Sequence, residues 1–147
     1  MQVKMDGLVY IDDYAHHPNE ISAALSSIKN KYPDYRYTAI FQPHLYTRTR
    51  DFAPEFAQAL SMVDRLILLD IYPARELPIP GVTSQIIFDE VTAPEKVLIS
   101  KEDLLGHIGG LELGEKEVFV TLGAGDIDRL VGPLAQLLTE KHDKGNA

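Results

Sequence analysis

Two carboxylates and two imidazoles stand almost side by side in Asp12-Asp13-Tyr14-Ala15-His16-His17-Pro18. A second group, Gln42-Pro43-His44-Leu45-Tyr46-Thr47-Arg48-Thr49-Arg50-Asp51, adds an imidazole and two guanidinium groups. A third, Asp70-Ile71-Tyr72-Pro73-Ala74-Arg75-Glu76, holds one more arginine, and the last is Gly123-Ala124-Gly125-Asp126. Imidazoles and carboxylates hold metal ions or move protons, and a guanidinium fork grips a carboxylate or a phosphate. Each piece also has a plainer reading. A lone aspartate at a strand end commonly caps a turn, and adjacent histidines before a helix can bond its free N–H groups. Arg48 and Arg50 break a local rule, because they stand beside the expected N-cap Asp51, where positive charge is the disfavoured sign. An anion held there would reconcile the two. Gly123-Ala124-Gly125 lacks the third glycine of the dinucleotide fingerprint, and no G-x-x-x-x-G-K-[ST] occurs, so it reads as a tight strand-to-helix turn. Tyr72 to Glu76 reads as a shaped loop in which only Arg75 is a candidate for chemistry.

Strand-like and helix-like segments alternate around these groups. Leu8 to Asp12 is a short apolar run. Pro18 suits a first helical position, and Ile21, Ala24, Leu25 and Ile28 keep the spacing of one helix face to about Tyr32. Arg36 to Gln42 reads as a strand stopped by Pro43. A helix follows from Asp51, with Pro54 in its first turn and Phe52, Phe56 and Leu60 along one face. Arg65 to Ile71 is continuously apolar at its centre, as a strand covered on both faces requires. Ser84 to about Val91 is a short helix, Val97 to Ser100 a strand, and Lys101 to about Ile108 another helix. Glu117 to Leu122 is the last strand, and a helix runs from about Asp126, with Gly132-Pro133 expected to kink it. Residues 142–147 are expected to fray. Five strands alternating with helices predict one α/β domain over 1–147, ordered over about 8–138. Its sheet is Rossmann-like, mostly parallel, of five or six strands with helices on both faces. In such sheets ligands bind outside the carboxyl ends of the strands, where these loops fall.

The 147 residues fit a single domain, and 45% hydrophobic residues exclude a disordered chain. Without cysteine, disulfides, thiolate chemistry and cysteine-built zinc sites are excluded. A net charge of −8 argues against general nucleic-acid binding. The longest apolar runs, such as Leu66 to Leu69, fall far short of the roughly 20 residues that span a bilayer. No basic segment followed by an apolar one opens the chain, so a cytoplasmic, unsecreted protein is expected. Chemistry alone leaves two classes open. One is a domain binding a small anionic ligand, part of an enzyme whose nucleotide machinery lies elsewhere. The other is a metal-dependent hydrolase using Asp12, Asp13, His16, His17 and His44 as ligands.

Four segments, in order and over about residues 8–138, resemble one family closely. They are Asp12-Asp13-Tyr14-Ala15-His16-His17-Pro18-Asn19-Glu20, Phe41-Gln42-Pro43-His44 with Thr47-Arg48-Thr49-Arg50-Asp51, Tyr72-Pro73-Ala74-Arg75-Glu76 with Pro78-Ile79-Pro80-Gly81-Val82, and Gly123-Ala124-Gly125-Asp126-Ile127. Together they resemble the C-terminal domain of the Mur ligases of peptidoglycan synthesis, and within them the branch that joins L-alanine to UDP-N-acetylmuramate. The sister branch that recycles murein tripeptide shares the first segment and is the alternative. The resemblance implies a three-domain enzyme, with an N-terminal domain for the UDP substrate and a central ATPase domain, both outside this chain, so that Met1 would be an added start. It implies ATP-dependent amide formation through an acyl phosphate, with ATP and Mg2+ held mainly by the central domain. Asp13 matches the aspartate that reaches the ATP ribose. Tyr14, His16, His17, His44 and Arg48 match positions of the L-alanine pocket, with Arg48 suited to the alanine carboxylate. No catalytic residue and no metal ligand is carried over. Where the family commonly has arginine this chain has Leu45, so that arginine's work is not carried over either.

Overall fold

The computed structural model describes residues 2–145. Its strands are β1 (Gln2–Met5), β2 (Leu8–Asp13), β3 (Arg36–Phe41), β4 (Arg65–Leu68), β5 (Glu95–Leu98) and β6 (Glu117–Leu122). Its helices are α1 (Pro18–Lys31), α2 (Tyr46–Leu60), α3 (Gln85–Phe88), α4 (Leu104–Gly109) and α5 (Val131–Gly145), with 3-10 turns at Lys101–Asp103 and Asp126–Leu130. The strands form one sheet in the order β1-β2-β6-β3-β4-β5, parallel except for β1, which pairs antiparallel with β2. The α/β class, the mostly parallel sheet and the helices on both faces are as the sequence predicts.

Alternation along the strands builds two cores. Val9, Ala39, Phe41, Leu66, Leu68, Val118 and Val120 pack under α1, α2 and α3. Leu8, Tyr10, Ile40, Ile67 and Phe119 face α4 and α5. The helices that follow β2 and β3 therefore lie on one face, and the helix that follows β6, inserted between those strands, lies on the other. Such a reversal opens a crevice at the carboxyl ends of β2, β6 and β3.

Four local expectations are corrected. β1, a four-residue alternating run before the expected ordered range of about 8–138, makes a hairpin with β2 through Gly7 at φ 80°. Helix α2 begins at Tyr46, and the boundary expected at Asp51 is instead a kink at Phe52 (φ −124°, ψ 17°) just before Pro54. Phe52 accordingly turns out to solvent, while Phe56 and Leu60 are buried as expected. Pro133 lies in the first turn of α5, where a missing N–H costs no intrahelical bond, so α5 begins there after a 3-10 turn. Finally, α5 continues through residues 142–145. The Lys141 ammonium donates to the carbonyls of Gly109 and Leu111, and His142 Nε2 lies 2.7 Å from the Asp6 carbonyl. The expected fraying at 146–147 lies outside the described residues.

Candidate functional site

At the end of β2 the two aspartates have different tasks. Asp12 Oδ1 accepts from Thr121 Oγ1 of β6 at 2.7 Å, and Thr121 is in turn bonded to the buried Tyr10 hydroxyl at 2.9 Å. Burial raises the Tyr10 phenol far above its ordinary range, so it stays protonated. Asp13 Oδ1 accepts from the Ala15 amide at 2.9 Å and closes the turn that presents Tyr14 and His16. Glu20, in the first turn of α1, reaches back to the amides of His16 (3.2 Å) and His17 (3.0 Å), and these bonds hold its carboxyl below the usual range. Tyr14 stands 67% exposed with its ring edge-on to His16, 5.9 Å between centroids.

The loop after β3 brings the second group to the same place. The His44 ring lies edge-on to His16 at 6.3 Å and is stacked on Tyr72 at 5.8 Å. Arg48 Nη1 donates to His44 Nδ1 at 3.3 Å. A guanidinium only donates, so His44 Nδ1 must carry its lone pair and the proton sits on Nε2. Burial lowers the His44 pKa, and Arg48 and His16 lower it further, which keeps the ring neutral. Between them, Leu45 has φ 73°, a left-handed conformation that a side chain this size rarely adopts. Two backbone bonds fix it there, Leu45 N–H to the Tyr72 carbonyl (2.9 Å) and Tyr72 N–H to the Pro43 carbonyl (2.8 Å).

The acid that the start of α2 lacks is supplied by another loop of the chain. Helix α2 has no side-chain cap of its own and no acid in its first turn. Glu76 takes that place, accepting from the Thr47 amide at 3.1 Å and the Thr47 hydroxyl at 2.5 Å. Arg75 beside it is exposed.

Behind these loops lies the Gly123-Ala124-Gly125 turn, and it is a packed turn rather than an open cradle. A Cβ on Gly125 would come within 2.5 Å of Gln42 Oε1 and 2.8 Å of Tyr72. Gln42 is 3% exposed, donating to Asp126 Oδ1 (2.6 Å) and accepting from the Ile127 amide (2.9 Å). Burial would raise the Asp126 pKa, but Lys101 and Gln42 outweigh it and hold the carboxylate ionised. A cavity of about 260 Å³ opens here, lined by Gln42, Asp70, Tyr72, Lys101, Glu102 and Asp126.

Tyr14, His16, His17, His44 and Arg48 are thus drawn into one cluster, with Asp13 at the base of its first turn. The five-residue metal set does not assemble. Among the described residues the only group of three ligand-type side chains within 4.8 Å of one another is His16, His17 and Glu20. Asp12 is committed to Thr121, and His44 Nδ1 to Arg48. That nitrogen-rich group does not suit magnesium, which demands oxygen ligands in octahedral array. The Gly123–Gly125 turn is packed closely against Gln42 and Tyr72. Lys101 and the Thr47–Glu76 pair were missed by the sequence reading. Lys101 follows the end of β5, so the carboxyl-end rule reaches it once applied to that strand, whereas nothing local in sequence pairs Thr47 with Glu76.

A switch-point crevice ringed by imidazoles and a guanidinium thus lies at the carboxyl edge of an α/β domain. The family model of the Mur ligase, glutamate ligase domain matches residues 1–125, and the chain belongs to that family. It is similar to the UDP-N-acetylmuramate–L-alanine ligase of Parabacteroides distasonis, with 56% identity over 139 residues, 95% of this chain and 29% of the relative. The ligase of the same name from Porphyromonas gingivalis is 56% identical over 131 residues, 89% of this chain and 28% of its own. The chain therefore spans about three-tenths of the length of these curated relatives. The crystal structure of a UDP-N-acetylmuramate-alanine ligase from Thermotoga maritima shares the fold at TM-score 0.71 and 24% identity, over 96% of this chain and 29% of that one. A murein peptide ligase from Psychrobacter arcticus shares it at TM-score 0.72 and 19% identity, over 93% and 29%.

Proposed function

We propose that this chain is the C-terminal, amino-acid-receiving domain of a cytoplasmic ligase that joins L-alanine to UDP-N-acetylmuramate with hydrolysis of ATP. The observation that carries this reading is the 56% identity to relatives of that name across 95% of the chain. The crevice supports the division of labour within it. Arg48 offers a planar fork to the alanine carboxylate, and neutral His44 holds one edge of that fork in place. Tyr14, His16 and His17 form the facing wall. Asp13 keeps one oxygen on its own turn and is the residue assigned to the ATP ribose. ATP and Mg2+ are otherwise assigned to a central domain and the UDP substrate to an N-terminal one, in keeping with the lack of a phosphate cradle here.

Steady-state kinetics on the full-length enzyme, each substrate varied in turn, test the assignment. Arg48→Ala removes a charge-assisted pair of about 2–3 kcal/mol, which lowers kcat/KM for alanine by roughly 30- to 150-fold. ATP affinity should stay within experimental error. Asp13→Ala should raise KM for ATP more than for alanine. An Arg48→Ala enzyme with unchanged alanine kinetics, or one disturbed in ATP alone, refutes the placing of this pocket.

A further inference from the structure

We propose that Glu76 is a positioning residue for the amino-acid pocket: an internal anion, supplied by the loop after β4, that fixes the first turn of α2 and with it the aim of Arg48. The proposal rests on the pocket reading above and deepens it. Three independent features of this corner point to Glu76. The helix that carries Arg48 starts at a leucine in a left-handed conformation, with no cap of its own and basic residues where acids belong. Left alone, such a helix start is unfavourable on both counts. Glu76 lies 29 residues away in sequence, yet it takes both the amide and the hydroxyl of Thr47, the residue next to Arg48. The same loop also grips the segment from the other side, through the paired backbone bonds of Tyr72 with Pro43 and Leu45 and the stacking of Tyr72 on His44. His44 and Arg48 thus sit on a segment that the loop 72–76 grips at both ends, Tyr72 at His44 and Leu45 and Glu76 at Thr47.

The chemistry of the carboxylate fits the task. Its bonds to Thr47 hold the Glu76 carboxyl below the usual range, so it stays a full negative charge at neutral pH. That charge occupies the amides at the helix start, so an incoming carboxylate has no competing place to bind there and is left to the Arg48 fork. Glu76 touches no substrate in this arrangement; it acts only through Thr47 and the helix turn.

The full-length ligase provides the test, with Arg48→Ala as the reference in the same assays. Glu76→Ala should raise KM for alanine by about 10- to 100-fold, the scale of a misplaced binding group, and leave KM for ATP within about twofold. Glu76→Gln keeps one acceptor oxygen and should fall between wild type and Glu76→Ala. Thr47→Val should shift the alanine KM in the same direction as Glu76→Gln, and Thr47→Ser, which keeps the hydroxyl, should restore it. Where Glu76→Ala fails to fold, Glu76→Gln and Thr47→Val decide the matter. The proposal falls if Arg48→Ala impairs alanine use while the Glu76 and Thr47 variants do not, or if they raise both KM values alike. An Arg48→Ala enzyme that uses alanine normally would instead refute the pocket reading on which it rests.

Discussion

Replacing Gly125 with alanine tests the packing that holds the crevice's floor. Its φ of −95° is open to any residue, so backbone strain plays no part and the effect is one of space. The new methyl would sit 2.5 Å from Gln42 Oε1 and 2.8 Å from the Tyr72 side chain. Neither neighbour has room to give. Gln42 is buried and spends its amide on Asp126 and the Ile127 N–H, and Tyr72 is tied by its backbone to Pro43 and Leu45. Overpacking of this kind costs about 1–3 kcal/mol, and loss of one Gln42 bond adds about 1 kcal/mol. The stiffer unfolded chain returns about 0.4–1 kcal/mol. A net loss of about 2 kcal/mol is expected, or roughly 4–8 °C in Tm for a domain of this size. Gly132→Ala is the control, since nothing lies within 4 Å of its Cβ position and alanine suits a helix. It should be neutral or stabilising by up to about 1 kcal/mol. Urea denaturation followed by circular dichroism reads both variants. If Gly125→Ala unfolds at the wild-type midpoint, the turn is looser than described and the reasoning from crowding is wrong.

The pH dependence of stability should carry a signature of His44. Burial and the neighbouring Arg48 lower its folded pKa below the ordinary value of about 6.5, so the unfolded chain takes up that proton first. Stability therefore drops as pH falls from about 6.5 toward the folded value, and His44→Gln should flatten that part of a urea-midpoint-versus-pH curve; identical curves would contradict it. The purified chain should contain no stoichiometric zinc, because Asp12 and His44 are engaged elsewhere and Glu20 already accepts from two amides through Oε1. Metal analysis showing one equivalent, lost in His17→Ala, would overturn this. By itself the chain should unfold cooperatively yet catalyse no ATP-dependent ligation, and multiple turnovers in a coupled ADP assay would contradict its assignment as one domain of a larger enzyme.

The sequence carried the fold because its strong signals are period signals. The buried run at Leu66–Leu69 and the spacing of Ile21, Leu25 and Ile28 each report burial directly, and two cores on opposite sheet faces follow. It failed where tertiary contacts decide. β1 is only four residues long and half polar, and it exists as a strand because β2 offers an edge to pair with. The start of α2 was placed at Asp51 because Asp51 is the nearest local cap, whereas the working cap, Glu76, comes from another loop. The site showed the same division. The residues of the crevice were legible from strand ends, but the Arg48–His44 contact and the tautomer it selects depend on how two loops meet.

The position of β6 bears on how the chain can be made. The strand translated last, Glu117 to Leu122, is the one that β2 and β3 need between them. As the chain leaves the ribosome, both of those strands are complete long before their shared neighbour exists, and each must wait with an open edge. Productive folding is thereby postponed to the end of translation of this domain, and the waiting edges are where nascent chains would pair with one another. A chain cut short before Glu117 is no smaller version of this domain but two unjoined pieces of it, β1 with β2 and β3 with its successors, a natural substrate for chaperones.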